Sequence, residues 1–251
     1  MNSRRACLFL AYLLLGATWA TASHFYAGLY SSPSGVLELH RIPEGALRGY
    51  LRDGARVAAL SAVEIVDGAV KATATYDDGT TAQLSGQARV GKSLVVDGRE
   101  YLFKAAEKPA DSTVRREIEE AYARLATAVE SKSFEAFQSM RVAEFATIPP
   151  NGTPSLGAQM ADRARGMLER IQPPIETTNR ILELTTRGDE AIATVRQTFI
   201  RMQMVEGTLH KIHTEVTQRE TWTRTAQGWK LLFVDEVRDH KTWDNERLVA
   251  Q

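Results

Sequence analysis

The stretch Glu220-Thr-Trp-Thr-Arg-Thr-Ala-Gln-Gly-Trp-Lys-Leu-Leu-Phe-Val-Asp-Glu-Val-Arg-Asp239 decides the fold. It reads as two long strands joined at Ala226-Gln227-Gly228, and a three-residue loop ending in Gly suits a type I turn closed by a left-handed glycine. That geometry sets Thr225 opposite Trp229, Thr223 opposite Leu231, Thr221 opposite Phe233 and Arg219 opposite Asp235. One face then carries Trp229, Leu231, Phe233 and the Arg219/Asp235 pair. The other carries Trp222, Leu232, Val234 and Glu236. A one-residue shift would pair Arg219 with Glu236 instead. Both faces are partly apolar, so the sheet is expected to be covered on both sides.

Upstream of this hairpin the same alternation continues, with strands expected at about 177–187, 190–205 and 208–225 and a turn at Gly188-Asp189. Helical patterns precede them. Ile118, Tyr122, Leu125 and Val129 form an apolar stripe at helical spacing, with Asp111 or Ser112 as the cap. Ser133 opens a short second helix bearing Phe134, Phe137 and Met140. Thr153-Pro154 looks like the start of a third, which carries Leu156, Met160, Met167 and Leu168 and ends at Pro173-Pro174. Three helices followed by four antiparallel strands make an α+β domain with helices laid on a curved sheet.

Residues 25–105 differ. Asp-Gly turns recur at Asp53-Gly54, Asp67-Gly68, Asp78-Gly79 and Asp97-Gly98, between runs that alternate in the two-residue period. The expectation is an all-β meander of six to eight short strands, a curled sheet or small open barrel, over residues 23–106. Residues 107–112 are polar, contain Pro109 and read as a linker. The second domain spans 113–246, and 247–251 read as a tail.

The first twenty-two residues form a separate piece: Arg4 and Arg5, an apolar run from Cys7 to Ala17, then Ala20-Thr-Ala22. A charged start, an apolar stretch and an Ala-x-Ala site describe a secretory signal peptide. The run is shorter than the ~18–20 residues that span a bilayer. Ser3-Arg4-Arg5 also fits a twin-arginine signal, so the export route stays open. The expected location is periplasmic or extracellular. Lys+Arg and Asp+Glu both total 31, which gives no electrostatic case for nucleic acid. Cleavage would remove Arg4, Arg5 and the single cysteine, Cys7, leaving a mature chain with no disulfide, thiol nucleophile or thiolate ligand.

The second domain resembles the nuclear transport factor 2-like superfamily, nearest its polyketide-cyclase (SnoaL-like) branch. The phrases that carry the resemblance are Glu117-Ile-Glu-Glu-Ala-Tyr122, Ser133-Phe-Glu-Ala-Phe137 leading to Glu144-Phe145, Pro150-Asn-Gly152, Gly188-Asp-Glu-Ala191 and Gly228-Trp-Lys-Leu231. It covers about residues 113–246. It implies a cone-shaped fold with a pocket between helices and concave sheet, and a sheet that pairs with another copy. Members include isomerases, hydrolases, cyclases and dehydratases as well as non-catalytic binding modules, so the fold does not fix the function. Relatives often carry His on alternate positions of the last strand, where this chain has Phe233 and Asp235.

Asp235 is the candidate acid or base, since apolar neighbours such as Phe233 would raise its pKa. The competing reading is a structural salt bridge with Arg219. Tyr122, Arg196, Arg219, Trp229 and Phe233 are the expected pocket-lining residues, with Tyr122 or Arg196 steadying charge on a ligand oxygen. His210 and His213 lie three apart on a strand and point to opposite faces, so no metal is expected, and no cofactor motif is present. The first functional expectation is non-catalytic binding of a small apolar or amphipathic ligand, dimeric assembly, or both. The alternative is a cofactor-independent lyase, isomerase or hydrolase with Asp235 as base. A protein partner for the β domain in the cell envelope is a further reading.

Overall fold

The computed structural model describes residues 26–54 and 56–250. The expected signal peptide lies outside the described residues. The chain forms two compact units, divided between Ala106 and Glu107.

In the first unit, β1 (Gly28–Ser32), β2 (Gly35–Arg41), β3 (Leu47–Asp53), β4 (Arg56–Val66), β5 (Ala69–Tyr76), β6 (Thr81–Arg89), β7 (Ser93–Val96) and β8 (Arg99–Ala105) run as an antiparallel meander. β8 returns to pair with β1, so the sheet is a closed barrel. Closure leaves no unpaired edge. The seam is held by Tyr30, which is fully buried, packs edge-on against Phe103 at 5.4 Å and donates its hydroxyl to the Tyr26 carbonyl at 2.9 Å. Leu37, Leu60, Leu84, Leu94 and Tyr101 belong to the core of this unit.

The Asp-Gly signals act as turns for a definite reason. At Asp67-Gly68 (φ 51° and 81°) and Asp97-Gly98 (φ 47° and 76°) both residues take positive φ. Each joins a directly paired hairpin, Val66 to Ala69 and Val96 to Arg99, as a type I′ turn requires. Gly86 has a different task. A Cβ there would run into the carbonyl oxygen of Val95 on β7. Gly86→Ala is therefore expected to destabilise the full-length protein by about 1–3 kcal/mol through overpacking, read as a lower midpoint in urea; an unchanged midpoint would mean the two strands separate freely.

The second unit opens with β9 (Lys108–Pro109), which pairs with Thr185 and Thr186, so part of the stretch read as a linker is held on the sheet. Three helices follow: α1 (Ser112–Glu130), α2 (Phe134–Ser139) and α3 (Gly157–Arg170). Asp111 caps α1, its carboxylate accepting the Val114 N–H at 2.9 Å. Ser133 caps α2 through the Ala136 N–H at 3.3 Å. α3 begins at Gly157, later than Thr153-Pro154 suggests. The intervening Ser155–Leu156 is held as β11 against β10 (Arg141–Thr147), a strand the sequence pattern did not reveal.

The main sheet is built from β12 (Ile171–Arg187), β13 (Glu190–Val205), β14 (Thr208–Thr225) and β15 (Gly228–Asp244), in the order β11-β10-β15-β14-β13-β12-β9. β10 runs parallel to β15; every other pair is antiparallel. Residues 247–250, expected as a tail, form β16 (Arg247–Ala250) on the far part of β15. Register shifts in β12, β14 and β15 bend the strands, and the sheet curves around the helices.

The hairpin at Ala226-Gln227 is tighter than its sequence suggests. Thr225 pairs with Gly228, Arg224 with Trp229 and Trp222 with Leu231, one step away from the three-residue-loop register. A bulge at Leu232 then absorbs the difference, and the expected pairs Thr221–Phe233 and Arg219–Asp235 are present. Because a bulge reverses the facing of every later residue on its strand, Trp229 and Leu231 do not share a face with Phe233 and Asp235. They join Trp222 and Val234 in the helix-covered core of this unit. Among the described residues, no helix is long and apolar enough to cross a membrane.

Candidate functional site

A cavity of about 370 Å³ lies between the helices and the sheet of the second unit, a volume suited to a small organic molecule. Its walls are mostly apolar: Leu125 and Val129 of α1, Phe137 of α2, Met160 and Met167 of α3, and Phe199, Leu231, Val234 and Val237 from the sheet. Two charged side chains face it, Arg141 and Glu220.

Glu220 arrives on β14, two residues before Trp222, so the pleat places both on the helix side. It is 1% exposed. Its Oε2 accepts the Tyr122 hydroxyl at 2.6 Å and its Oε1 accepts the Gln218 side-chain N–H at 2.6 Å. Behind it, the Trp222 indole N–H donates to the Tyr122 oxygen at 3.3 Å, and the two rings meet edge to face at 5.1 Å. The carboxylate thus accepts a hydrogen bond on each of its oxygens. Burial raises its pKa above the ordinary value, opposed by the hydrogen bonds from Tyr122 and Gln218 and by the charge of Arg141. Burial and the neighbouring Glu220 push the Tyr122 phenol well upward, so the phenol keeps its proton.

Arg141 opens β10, where that strand meets Leu231 of β15. Its guanidinium carbon lies 4.0 Å from the Phe137 ring centre and 4.4 Å from that of Phe145, within cation–π range. Its Nε and Nη1 are sealed from solvent and find no acceptor among the described residues. Desolvation pushes the guanidinium pKa down to about 10, with Glu220 pulling the other way. At neutral pH it remains a cation. The mostly apolar cavity is therefore lined by one half-buried cation and one buried carboxylate of raised pKa. Such a pair can hold an oxygen-bearing ligand and move a proton.

The residues expected from sequence are placed elsewhere. Tyr122 stands behind Glu220 and reaches the cavity through it. Asp235 is buried on the opposite face of the sheet, where Arg219 approaches it at 3.5 Å; Arg219 also binds Glu107 at 3.0 Å. Phe233 is fully buried on that same face. Arg196 is exposed, and the adjacent Gln197 faces the cavity instead. Trp229 is core, with its indole N–H on Glu117 at 2.8 Å. His210 and His213 are half-buried, not fully solvated: His210 bonds Asp244 at 2.6 Å and His213 stacks on Trp243 at 4.6 Å.

Arg141, Glu220, Gln218, Phe137 and Phe145 took no part in the sequence-based site. Glu220 and Gln218 carried a usable signal. Two polar residues alternate with Trp222 on one strand face, and a charge on an apolar face demands a partner. Arg141 carried none, because Arg-Val-Ala-Glu-Phe-Ala-Thr shows no two-residue alternation.

No family model and no curated protein matches the sequence. Solved structures do match about half of the chain. One is a conserved protein from Planctomyces limnophilus, 13% identical, covering 51% of this chain and 98% of its own with a TM-score of 0.44. A nuclear transport factor 2-like superfamily protein from Salmonella enterica serovar Typhimurium is 20% identical, with 51% and 92% covered and a TM-score of 0.42. A hexachlorocyclohexane dehydrochlorinase (LinA, type 2) is 16% identical, with 55% and 90% covered and a TM-score of 0.42. The second unit itself consists of three helices on a curved, mostly antiparallel sheet.

Proposed function

We propose that the second unit binds a small, largely apolar molecule in its cavity, oriented by Arg141 and Glu220. The observation that carries this reading is the convergence of a half-buried cation and a buried carboxylate on a mostly apolar space. Buried charge is costly. Val237→Trp, which fills the cavity from β15, tests it. Native mass spectrometry and titration with an apolar fluorescent probe should find stoichiometric binding to the parent protein. The variant should bind at least about tenfold more weakly, a change of about 1.4 kcal/mol, with its unfolding midpoint unchanged. Equal binding by both proteins would move the site away from this cavity.

A second reading is a cofactor-independent proton-transfer enzyme, a lyase or isomerase. Its support is the raised pKa of Glu220 opposite a cation. Glu220 would take a proton from carbon beside a ligand carbonyl, the electron pair of the broken C–H bond moving onto the oxygen held by Arg141. Asp235, the carboxylate expected from sequence, is turned toward Arg219 on the other face. On this reading Glu220→Gln abolishes turnover and retains binding, whereas Asp235→Asn keeps its activity. The reverse pattern would return the role to Asp235. Export is supported by the sequence of residues 1–22, and a mature N-terminus at Ser23 in secreted material would establish it. Pairing of two copies through the sheet is supported by the resemblance, and sedimentation of the full chain tests it.

A further inference from the structure

We infer that the open edge of β12, beside α1, binds an extended peptide whose residues alternate between small apolar and acidic. This is a second site, independent of the cavity. A groove of about 610 Å³ lies there, and its strand wall is made of five successive residues, Thr177 to Ile181. Side chains of a strand alternate between faces, so five in a row line a space only where the strand presents its edge. The Thr177 N–H fixes the direction: it turns away from β13 and donates to the Glu130 carboxylate at 3.0 Å. Outward groups recur at every second residue of an antiparallel edge, and the register is unbroken from Thr177 to Ile181. Asn179 and Ile181 therefore turn their backbone N–H and C=O groups into the groove. Among the described residues, β12 meets a strand on this side only at Thr185 and Thr186, where β9 pairs antiparallel.

An unpaired edge is a template for one more strand, and β9 already fills the next part of this one. The helix decides what kind of strand fits. Tyr122, Ala123 and Ala126 of α1 line the opposite wall, so the opening takes a lone segment, whereas the β12 edge of a second copy would bring its own α1 against this one. Pairing turns alternate peptide side chains toward α1, where Ala123 and Ala126 leave room for a small apolar residue. The intervening side chains fall beside Arg180, on the other face of the strand. Arg180 is exposed and stands directly opposite Arg196 of β13, which is also exposed. Like charges directly opposite are destabilising, and an acidic residue on the adjoining strand offsets them. Pro173-Pro174 and the register shift after Ile181 bound the free run, which suits a strand of about six residues.

The test uses the full chain and blocked, fluorescently labelled peptides of about six residues, alternating valine with glutamate or valine with lysine. Anisotropy should show the glutamate peptide binding at least about tenfold tighter than the lysine peptide. Two N-methylated forms of the glutamate peptide, methylated at alternate amides so that each loses the donors of one edge, should differ. One should bind within about twofold of the parent peptide and the other at least about tenfold more weakly. Ala123→Trp, at an exposed position of α1, should block the groove and weaken binding by at least about tenfold, and Arg180→Glu should bring the glutamate and lysine peptides within about twofold of each other. A circular-dichroism melt confirms that each variant is folded; if neither folds, the N-methylated pair alone decides. Binding of neither peptide would overturn the inference. So would two N-methylated forms that bind alike, because strand pairing uses one edge of the peptide. Binding unchanged in Ala123→Trp would place the peptide elsewhere, and a glutamate preference unchanged in Arg180→Glu would take the acidic residues away from this edge; either result overturns it. A dimer of the parent chain that sedimentation shows to dissociate in Ala123→Trp would give the edge to a second copy in place of a peptide.

Discussion

Trp222→Ala should lower the stability of the protein by about 3–5 kcal/mol, the range for truncating a buried aromatic side chain. The indole is fully buried in the core of the second unit. Its removal opens a void beneath Tyr122 and also removes the N–H that the Tyr122 oxygen accepts. The loss should be visible in urea unfolding followed by circular dichroism, as a lower midpoint with a similar slope. Trp222→Phe separates the two contributions. It refills much of the volume and lacks the donor, so its cost should fall to about 1–2 kcal/mol. The effect should reach the site as well, because Tyr122 positions Glu220. A Trp222→Ala protein as stable as the parent would mean that this core tolerates the void, and the support proposed for Glu220 would be lost with it.

The second large effect depends on pH. Arg141 is the cation that opposes the burial of Glu220, so Arg141→Met should push the Glu220 pKa further up. Linkage sets the sign. A carboxyl whose folded pKa is raised holds its proton more tightly folded than unfolded. Its contribution to stability is fully present below the ordinary carboxylate value and is lost as pH rises through the folded pKa. Arg141→Met should therefore cost little near pH 4 and about 1–3 kcal/mol at pH 8, where Glu220 must either ionise without its counter-charge or stay protonated at a cost. Adding Glu220→Gln should remove the pH dependence of that loss. Urea unfolding of the four proteins at both pH values checks it. A loss of the same size at both would mean that Arg141 contributes packing against Phe137 and Phe145 and no charge compensation.

Period and punctuation made much of the fold legible. The Asp-Gly pairs marked the hairpins of the first unit because both turn positions at Asp67-Gly68 and Asp97-Gly98 take positive φ, which few other residue pairs allow. The apolar stripe Ile118, Tyr122, Leu125 and Val129 marked α1, and all four are buried. Barrel closure was not legible, since the pairing of β1 with β8 joins segments some seventy residues apart with no local signature. β9, β10, β11 and β16 escaped for a related reason. β9, β11 and β16 are short and β10 lacks a two-residue alternation, and each exists as a strand because a neighbouring edge supplies its hydrogen bonds.

The candidate site turned on one residue of register. A two-residue turn at Ala226-Gln227 and a bulge at Leu232 cancel each other in strand pairing, and so Arg219 still meets Asp235. They do not cancel in facing. The bulge leaves Trp229 and Leu231 on the helix side and turns Asp235 and Phe233 away, which exchanges Asp235 for Glu220 as the carboxylate in the cavity.

By itself, then, the sequence determined the elements that local chemistry governs: helix caps, apolar stripes, Asp-Gly turns and the order of helices before sheet. Tertiary structure alone decided which side chains share a space. Side-chain direction in a strand has a period of two, so one inserted residue reverses it. The partners that bring Arg141 opposite Glu220 come from α2, β10 and β14, far apart in the chain, and packing is what assembles them.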